Sequence, residues 1–323
     1  DRDRTPMERA EIVVVGGGHN GAICAAYLAR AGHDVLLVEA RDDVGGCAST
    51  VTDLGARFNI CNCDHNMIRG MPIADELDLA AHGLRYIESE IGSVHRFHDG
   101  SDPWIFMHEV EAHLDALDRT HPHAVPGYRA YLDDALAVAG LVVEIARTPP
   151  SFTAMTRRVL ARRAAGARRR LAWSRRSMAD VMGEYFDDWH LISPAVVTGP
   201  SVWGVPATTP GTGSAAAIYA LRHTIKTGRP AGGSGALTDA VRASFEAAGG
   251  RTRTSSRVDW LLVRDGAVTG VRLTDGASIG AEVVVAACDP HRVFLEWLDA
   301  VPPRARRLVD TWRTAPVHDG YES

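Results

Sequence analysis

The stretch Ile12-Val13-Val14-Val15-Gly16-Gly17-Gly18-His19-Asn20-Gly21 decides the fold. Its four β-branched residues read as a strand and its glycines as a tight turn. Ala22, Ile23, Ala25, Ala26 and Ala29 then form the apolar side of a helix that stops at Gly32. A second apolar strand, Val35 to Val38, ends on Glu39. Gly16, Gly18 and Gly21 thus make a GxGxxG turn between a strand and a helix, with an acid at the end of the next strand. In that setting Gly16 permits the turn, Gly18 lets a pyrophosphate approach the backbone, and Gly21 lets the helix pack on the strand. Glu39 is placed to accept ribose hydroxyls. The chemistry indicated is dinucleotide binding. A second glycine pair, Gly45-Gly46, follows soon after. It lets another length of backbone near the ligand, which suits a cofactor that continues past the pyrophosphate.

The rest of the composition narrows the class. A chain of 323 residues, 46% apolar, can build a large core and more than one domain. A net charge of −5 gives no reason to expect a nucleic-acid partner. Five cysteines without framework spacing fit a reducing, cytoplasmic setting. No apolar run reaches the ~18 residues of a membrane span.

The α/β pattern lapses after residue 66 and returns near 230. Residues 73–225 read as mostly helical and irregular, punctuated by prolines. Gly232-Gly233-Ser234-Gly235 then opens a helix bearing Leu237, Val241 and Phe245, closed by Gly249-Gly250. Because this run follows Arg229-Pro230, with no strand before it, it is not expected to bind a second nucleotide. Strands are expected at about 252–263, 267–273 and 278–287, joined by Asp265-Gly266 and Asp275-Gly276 hairpins. Val283-Val284-Val285-Ala286-Ala287 does not alternate and reads as a strand buried on both faces of a parallel sheet. The expected segments are 1–70 (first part of the nucleotide-binding domain), 71–225 (a substrate domain), 226–292 (second part of the nucleotide-binding domain) and 293–323 (a further substrate-domain piece).

Glu39-Ala40-Arg41 with Gly45-Gly46 and Thr50 resembles the FAD signature shared by amine oxidases and phytoene desaturases. Gly16 to Gly21, with His19 and Asn20 between the glycines, resembles its phytoene-desaturase-like variant. Pro230 to Leu237 and Val283 to Pro290 resemble two further stretches of that group. The likeness covers about 11–66 and 178–323. It implies a doubly wound, Rossmann-like FAD-binding α/β domain with an inserted, mainly helical substrate domain. It also implies that Glu39 with Ala40 holds the adenosine ribose, that Gly45, Gly46 and Arg41 line the pyrophosphate side, and that Val258 pins the adenine through its backbone. One departure stands out: many relatives carry Arg after the glycine pair, where this chain has Cys47.

Cys61-Asn62-Cys63-Asp64-His65 lacks the spacing of a metal or dithiol site, so no metal is expected. By the resemblance this stretch lies near the flavin or substrate, which makes Asp64 and His65 the candidate proton carriers; a structural role is the plainer alternative. Nine arginines fall between Arg157 and Arg176, with no acid from Ser151 to Ala179. They read as a solvated helix, or as a basic patch for an anionic membrane with Val159, Leu160, Leu171 and Trp173 as apolar contacts. Trp104, Trp173, Trp189, Trp203 and Tyr219 read as core, or as the lining of an apolar tunnel.

Members of the resembled family return to the flavin through a later strand–glycine–helix element, and no such element follows residue 290 here. The expectation is a sheet completed by a further C-terminal segment or by a partner chain, with the split enzyme preferred. The expected activity is desaturation, saturation or isomerisation of C–C bonds in an apolar, polyene-like substrate by hydride exchange with FAD. Two alternatives share the architecture. One is an amine or amino-acid oxidase. The other is a non-enzymatic prenyl- or lipid-binding subunit akin to Rab GDP-dissociation inhibitors and escort proteins.

Overall fold

The protein is described here by a computed structural model, covering residues 7–61, 63–148, 151–161 and 167–314. The chain divides into two compact units. The first holds the described residues of Asp1–Ile68, Pro72–Ile87 and Arg229–Val317. The second holds Arg69–Met71 and the described residues of Glu88–Gly228.

The first unit is built on a six-stranded sheet. Its strands in chain order are β1 (Glu8–Val15), β2 (Val35–Val38), β3 (Arg251–Arg253), β4 (Val258–Arg264), β5 (Ala267–Leu273) and β6 (Ser278–Ala286). Their order across the sheet is β4-β5-β6-β1-β2-β3. β6, β1, β2 and β3 run parallel, while β4, β5 and the start of β6 form an antiparallel meander. Two helices cover one face: α1 (His19–Arg30) and α2 (Gly235–Ala247).

The pleat sorts β1 between two cores. Ile12 and Val14 pack with Ala22, Ala25, Ala26 and Ala29 of α1 and with Leu237, Val241 and Phe245 of α2. Val13 and Val15 face the opposite way, onto Leu261, Val271, Leu273 and Ile279 of the meander. Both faces of β1 and β2 are therefore buried, as a parallel sheet requires. Phe245, fully buried, contributes about 1.5–3 kcal/mol by burial alone.

Two expectations need correcting. The strand expected at 252–263 is two strands, β3 and β4, at opposite edges of the sheet. Ser255 at φ +48° breaks them apart, and no glycine or proline marks the break. The amides of Ser255 and Ser256 then donate to the carbonyls of Arg41 and Glu39 at 2.6 and 2.8 Å, so the break folds onto the end of β2. The second correction concerns β6. Its 281–286 half does pair in parallel with β1, but Val283 is 49% exposed and Ala286 is exposed too. β5 pairs only with residues 278–280 of β6, so among the described residues no strand pairs with the outer side of 281–286.

The second unit is mostly helical. Its longest helix, Val125–Ala146, places Tyr128, Tyr131, Leu132, Ala135 and Val138 against the helix Ala215–Leu221 and against Trp173, Met178 and Phe186. It also contains an antiparallel hairpin, Ile91–His95 with Trp104–Met107, in a region whose sequence reads as helical and irregular. Trp104 and Phe106 of that hairpin are buried in this core.

Candidate functional site

The glycine turn sits at the C-terminal ends of β1 and β2, where open α/β sheets bind ligands. Gly16 adopts φ +104°, and its amide donates to the Val38 carbonyl at 2.8 Å. A Cβ on Gly21 would lie 1.9 Å from the Gly16 oxygen, so the residue must be glycine for α1 to start this close to β1. Gly18 is different. A Cβ there meets nothing nearer than the Gly46 Cα at 3.7 Å, so this face of the turn is open. Gly18 caps α1 without any side-chain cap, and no acid stands in the first turn. The first N–H groups of α1 have no intrahelical acceptor, so they present a positive end. His19 is half-buried and Asn20 exposed at that end.

The structure brings the second glycine cluster onto the first. Gly45 donates to the Gly17 carbonyl at 2.8 Å, and Gly18 and Gly45 form a short parallel bridge. A Cβ on Gly46 would lie 2.9 Å from the Gly18 Cα. Arg41 holds this loop: its guanidinium donates to the Gly46 carbonyl at 3.3 Å and to Ser49 Oγ at 2.8 Å. Cys47 is exposed.

Glu39 is 8% exposed, and its carboxylate accepts the Gly17 amide at 2.6 Å and the Arg41 amide at 2.8 Å. With Ala40 it lines a cleft of about 460 Å³ that Gly16, Ser256, Arg257, Val258, Cys288, Arg292 and Trp297 also line. The cleft thus joins Glu39 and Val258, far apart in sequence. Ser256, Arg257, Arg292 and Trp297 were not singled out by sequence, while Cys288 falls within the stretch Val283 to Pro290. Arg257 is adjacent to Val258 and gave that much signal; Trp297 gave none. Burial pushes the Cys288 thiol up from its ordinary pKa.

Asp64 and His65 separate in role. Asp64 is half-buried and pairs with Arg229 at 2.7 Å. His65 is 1% exposed; its Nδ1 meets the Tyr86 hydroxyl at 3.0 Å, while its Nε2 is buried without a hydrogen-bond partner among the described residues. Burial pulls its pKa down to about 4, His19 adding to the effect and Asp64 opposing it. A histidine neutral in the fold but protonated when unfolded costs stability as pH falls from about 6.5, and the loss levels off below about 4. At pH 5 that loss is about 2 kcal/mol. The urea midpoint should therefore drop from pH 7.5 to 5 by clearly less in His65→Gln than in the wild type. An equal drop in both would remove His65 from the acid response.

Other singled-out features are explained by packing. The glycine run from Gly232 does follow a short strand, Gly228–Pro230, contrary to expectation. Its amides are nonetheless engaged: Ser234 donates to Asn59 Oδ1 and Gly235 to Thr50 Oγ1, each at 2.9 Å. Within the arginine-rich stretch, Arg169 pairs with Asp134, and Arg176 with Glu184. Trp173 is buried in the core of the second unit and Leu171 is 58% exposed. Residues 162–166, the side chains of Val159, Leu160 and Trp203, and the chain from residue 315 onward lie outside the described residues. Trp104 and Tyr219 are core residues, and Trp189 is 46% exposed. No helix among the described residues is long and apolar enough to cross a membrane.

Residues 14–72 match the family model described as NAD(P)-binding Rossmann-like domain. The chain is 25% identical over 317 residues to one of the subunits of limonene dehydrogenase from Castellaniella defragrans, covering 95% of this chain and 57% of that protein. It is 27% identical over 302 residues to the lycopene-forming phytoene desaturase of Pantoea ananas, covering 91% and 58%. The chain thus spans under two thirds of the length of these relatives. Putrescine oxidase bound to putrescine superposes with a TM-score of 0.64 at 19% identity, over 94% of this chain and 64% of that one. The chain shares the α/β fold of putrescine oxidase, built around a Rossmann-like nucleotide site. Within that fold, the sequence relatives named here are a dehydrogenase subunit and a desaturase, to which this chain is similar at 25–27% identity.

Proposed function

We propose that this chain carries the FAD-binding part of an oxidoreductase that desaturates, saturates or isomerises C–C bonds of an apolar, unsaturated substrate. The observation that carries this reading is the shared cleft: Gly16, Glu39 and Val258 line one space beside an uncapped helix start. The residues fit FAD. The open face at Gly18 leaves room for a ligand to meet the backbone, and the α1 N–H groups would donate to the pyrophosphate. Glu39 uses one lone pair of each carboxylate oxygen on backbone amides, and the others would accept ribose hydroxyls. Ala40 and the Val258 backbone would border the adenosine. Arg41 would act through the Gly45-Gly46 loop it holds, shaping the pyrophosphate side. Bound FAD supplies the hydride acceptor or donor. Limonene and phytoene, named in the two relatives, are apolar and unsaturated, which supports that substrate class.

A second polypeptide is part of the proposal. The outer side of β6, which no strand among the described residues pairs with and where Val283 is exposed, fits one more strand, and one relative is itself named as part of a multi-chain enzyme. Asp64 and His65 remain the proposed proton carriers, His65 as a neutral imidazole. The reaction test is anaerobic mixing of the flavin-loaded protein with a panel of polyenes, terpenes and amines. Bleaching of the flavin band by the hydrocarbons is expected. Reduction by amines alone would replace this reading with the amine-oxidase one. A well-folded protein that binds no flavin at all would favour the non-enzymatic lipid-binding reading. Tight, stoichiometric FAD in the isolated chain would remove the second polypeptide while leaving the chemistry in place.

A further inference from the structure

The second unit buries a cation with no counter-ion among the described residues. Arg222, which ends the helix Ala215–Leu221, is 8% exposed. Its guanidinium stacks over the Phe106 ring, 4.4 Å from the centroid, and lies 5.8 Å from that of Tyr219. Nη2 reaches Ser93 Oγ at 3.5 Å, the limit of a hydrogen bond, and Nη1 is buried with no partner among the described residues. A guanidinium does not shed its proton, so burial cannot be relieved by neutralisation.

Hydroxyls and imidazoles form its polar surroundings, and the Glu109 carboxylate acts on His223 without pairing with Arg222. His95 shares a 3.0 Å contact with Ser93 Oγ, and its pKa is lowered by burial first and by Arg222 second. His108 donates through Nδ1 to the Arg222 carbonyl at 2.9 Å. His223 donates to the His108 carbonyl and accepts from the Tyr128 hydroxyl. Burial holds His113 at about 3 and His223 at about 4. The Tyr219 hydroxyl is buried too, with the Trp104 indole as its polar neighbour and no close hydrogen bond among the described residues. One fixed positive charge therefore stands in an aromatic shell with unused donors. Leaving a buried charge unpaired costs several kcal/mol, so such a site is expected where an anion completes it. Ser93 and His95, on the Ser93 side of the guanidinium, are only half-buried.

We propose that Arg222, with the Ser93 hydroxyl, anchors the carboxylate of a ligand that carries an apolar body. One guanidinium and one hydroxyl match a monoanion; a phosphate dianion would keep an uncompensated charge. The aromatic neighbours favour a ligand that is apolar beyond its carboxylate. This does not rest on the flavin reading, because binding is measured without electron transfer.

The test is binding and melting of the full chain with decanoate, 1-decanol and inorganic phosphate. Decanoate should bind the wild type and raise its melting temperature, with 1-decanol weaker and phosphate without effect. Arg222→Met should melt higher than the wild type without ligand, since an unpaired buried cation is gone, and should bind decanoate ~10-fold or more weakly. Arg222→Lys should retain part of the decanoate response. Equal decanoate binding by wild type and Arg222→Met would overturn the proposal. So would a wild type that does not distinguish decanoate from 1-decanol, or one stabilised equally by phosphate; these comparisons stand even if the variant fails to fold.

Discussion

Gly21→Ala is expected to abolish dinucleotide binding and to lower the unfolding free energy by about 3 kcal/mol or more. A Cβ there would sit 1.9 Å from the Gly16 carbonyl oxygen and 2.9 Å from the Ala287 Cβ. Neither neighbour is the free end of a long side chain, so α1 itself must move. Moving α1 drags Ala22, Ala25 and Ala26, all fully buried, out of register with the sheet. Gly18→Ala gives the contrast. Its φ of −65° suits alanine and its nearest neighbour is 3.7 Å away, so the protein should melt as the wild type does. The new methyl would occupy the side from which a pyrophosphate approaches, and FAD affinity should fall ~10-fold or more. Urea unfolding and flavin-fluorescence titration of the pair separate folding from binding. A Gly18→Ala protein with unchanged FAD affinity would refute the assignment of that face.

Glu39→Ala is expected to weaken FAD binding about 100-fold, or roughly 2.7 kcal/mol. Two effects combine. The ribose hydroxyls lose their acceptor, and the Gly17 and Arg41 amides lose theirs. Each orphaned buried amide costs about 1–3 kcal/mol, so the midpoint of unfolding should fall as well. Glu39→Gln keeps one acceptor oxygen but turns an NH₂ group toward a backbone N–H, and should fall between the two. Titration of all three with FAD, beside their urea midpoints, makes the comparison. A Glu39→Ala protein that binds FAD within about threefold of wild type would show that this carboxylate only supports the turn.

What could be read in the sequence was whatever is coded locally. The turn Gly16 to Gly21, the strand Val35–Val38 and the helix bearing Leu237, Val241 and Phe245 each carry their own signal within about a dozen residues. The break between β3 and β4 was not legible, because Thr254-Ser255-Ser256-Arg257 holds neither glycine nor proline and the turn is fixed by hydrogen bonds to Glu39 and Arg41. The hairpin Ile91–His95 with Trp104–Met107 was missed among helical signals; its strands are short and joined by a longer loop. The exposure of Val283 was misread because a run of valines reports what a strand can bury, not whether a neighbour is present. Of the site, Glu39 and its glycines were legible as a motif. Trp297 and Arg292 reach the cleft only through tertiary packing. The sequence named Gly45-Gly46, but not that it would rest backbone to backbone on Gly17-Gly18.

The pairing of β1 with β6 bears on how the molecule is made. Ile12 meets Val283, and Val15 meets Ala286, so the centre of the sheet joins residues from near the two ends of the described chain. During synthesis β1 and β2 can form early, but one side of β1 stays without a neighbour until almost the whole described chain has emerged. Contacts so distant in sequence close slowly, and the waiting strand is a Val-rich edge open to wrong partners. Any shortening of the chain before β6 should therefore do more than remove a strand. It should leave the nucleotide turn mounted on a half-built sheet, so the glycine motif, though encoded within ten residues, becomes functional only at the end of folding.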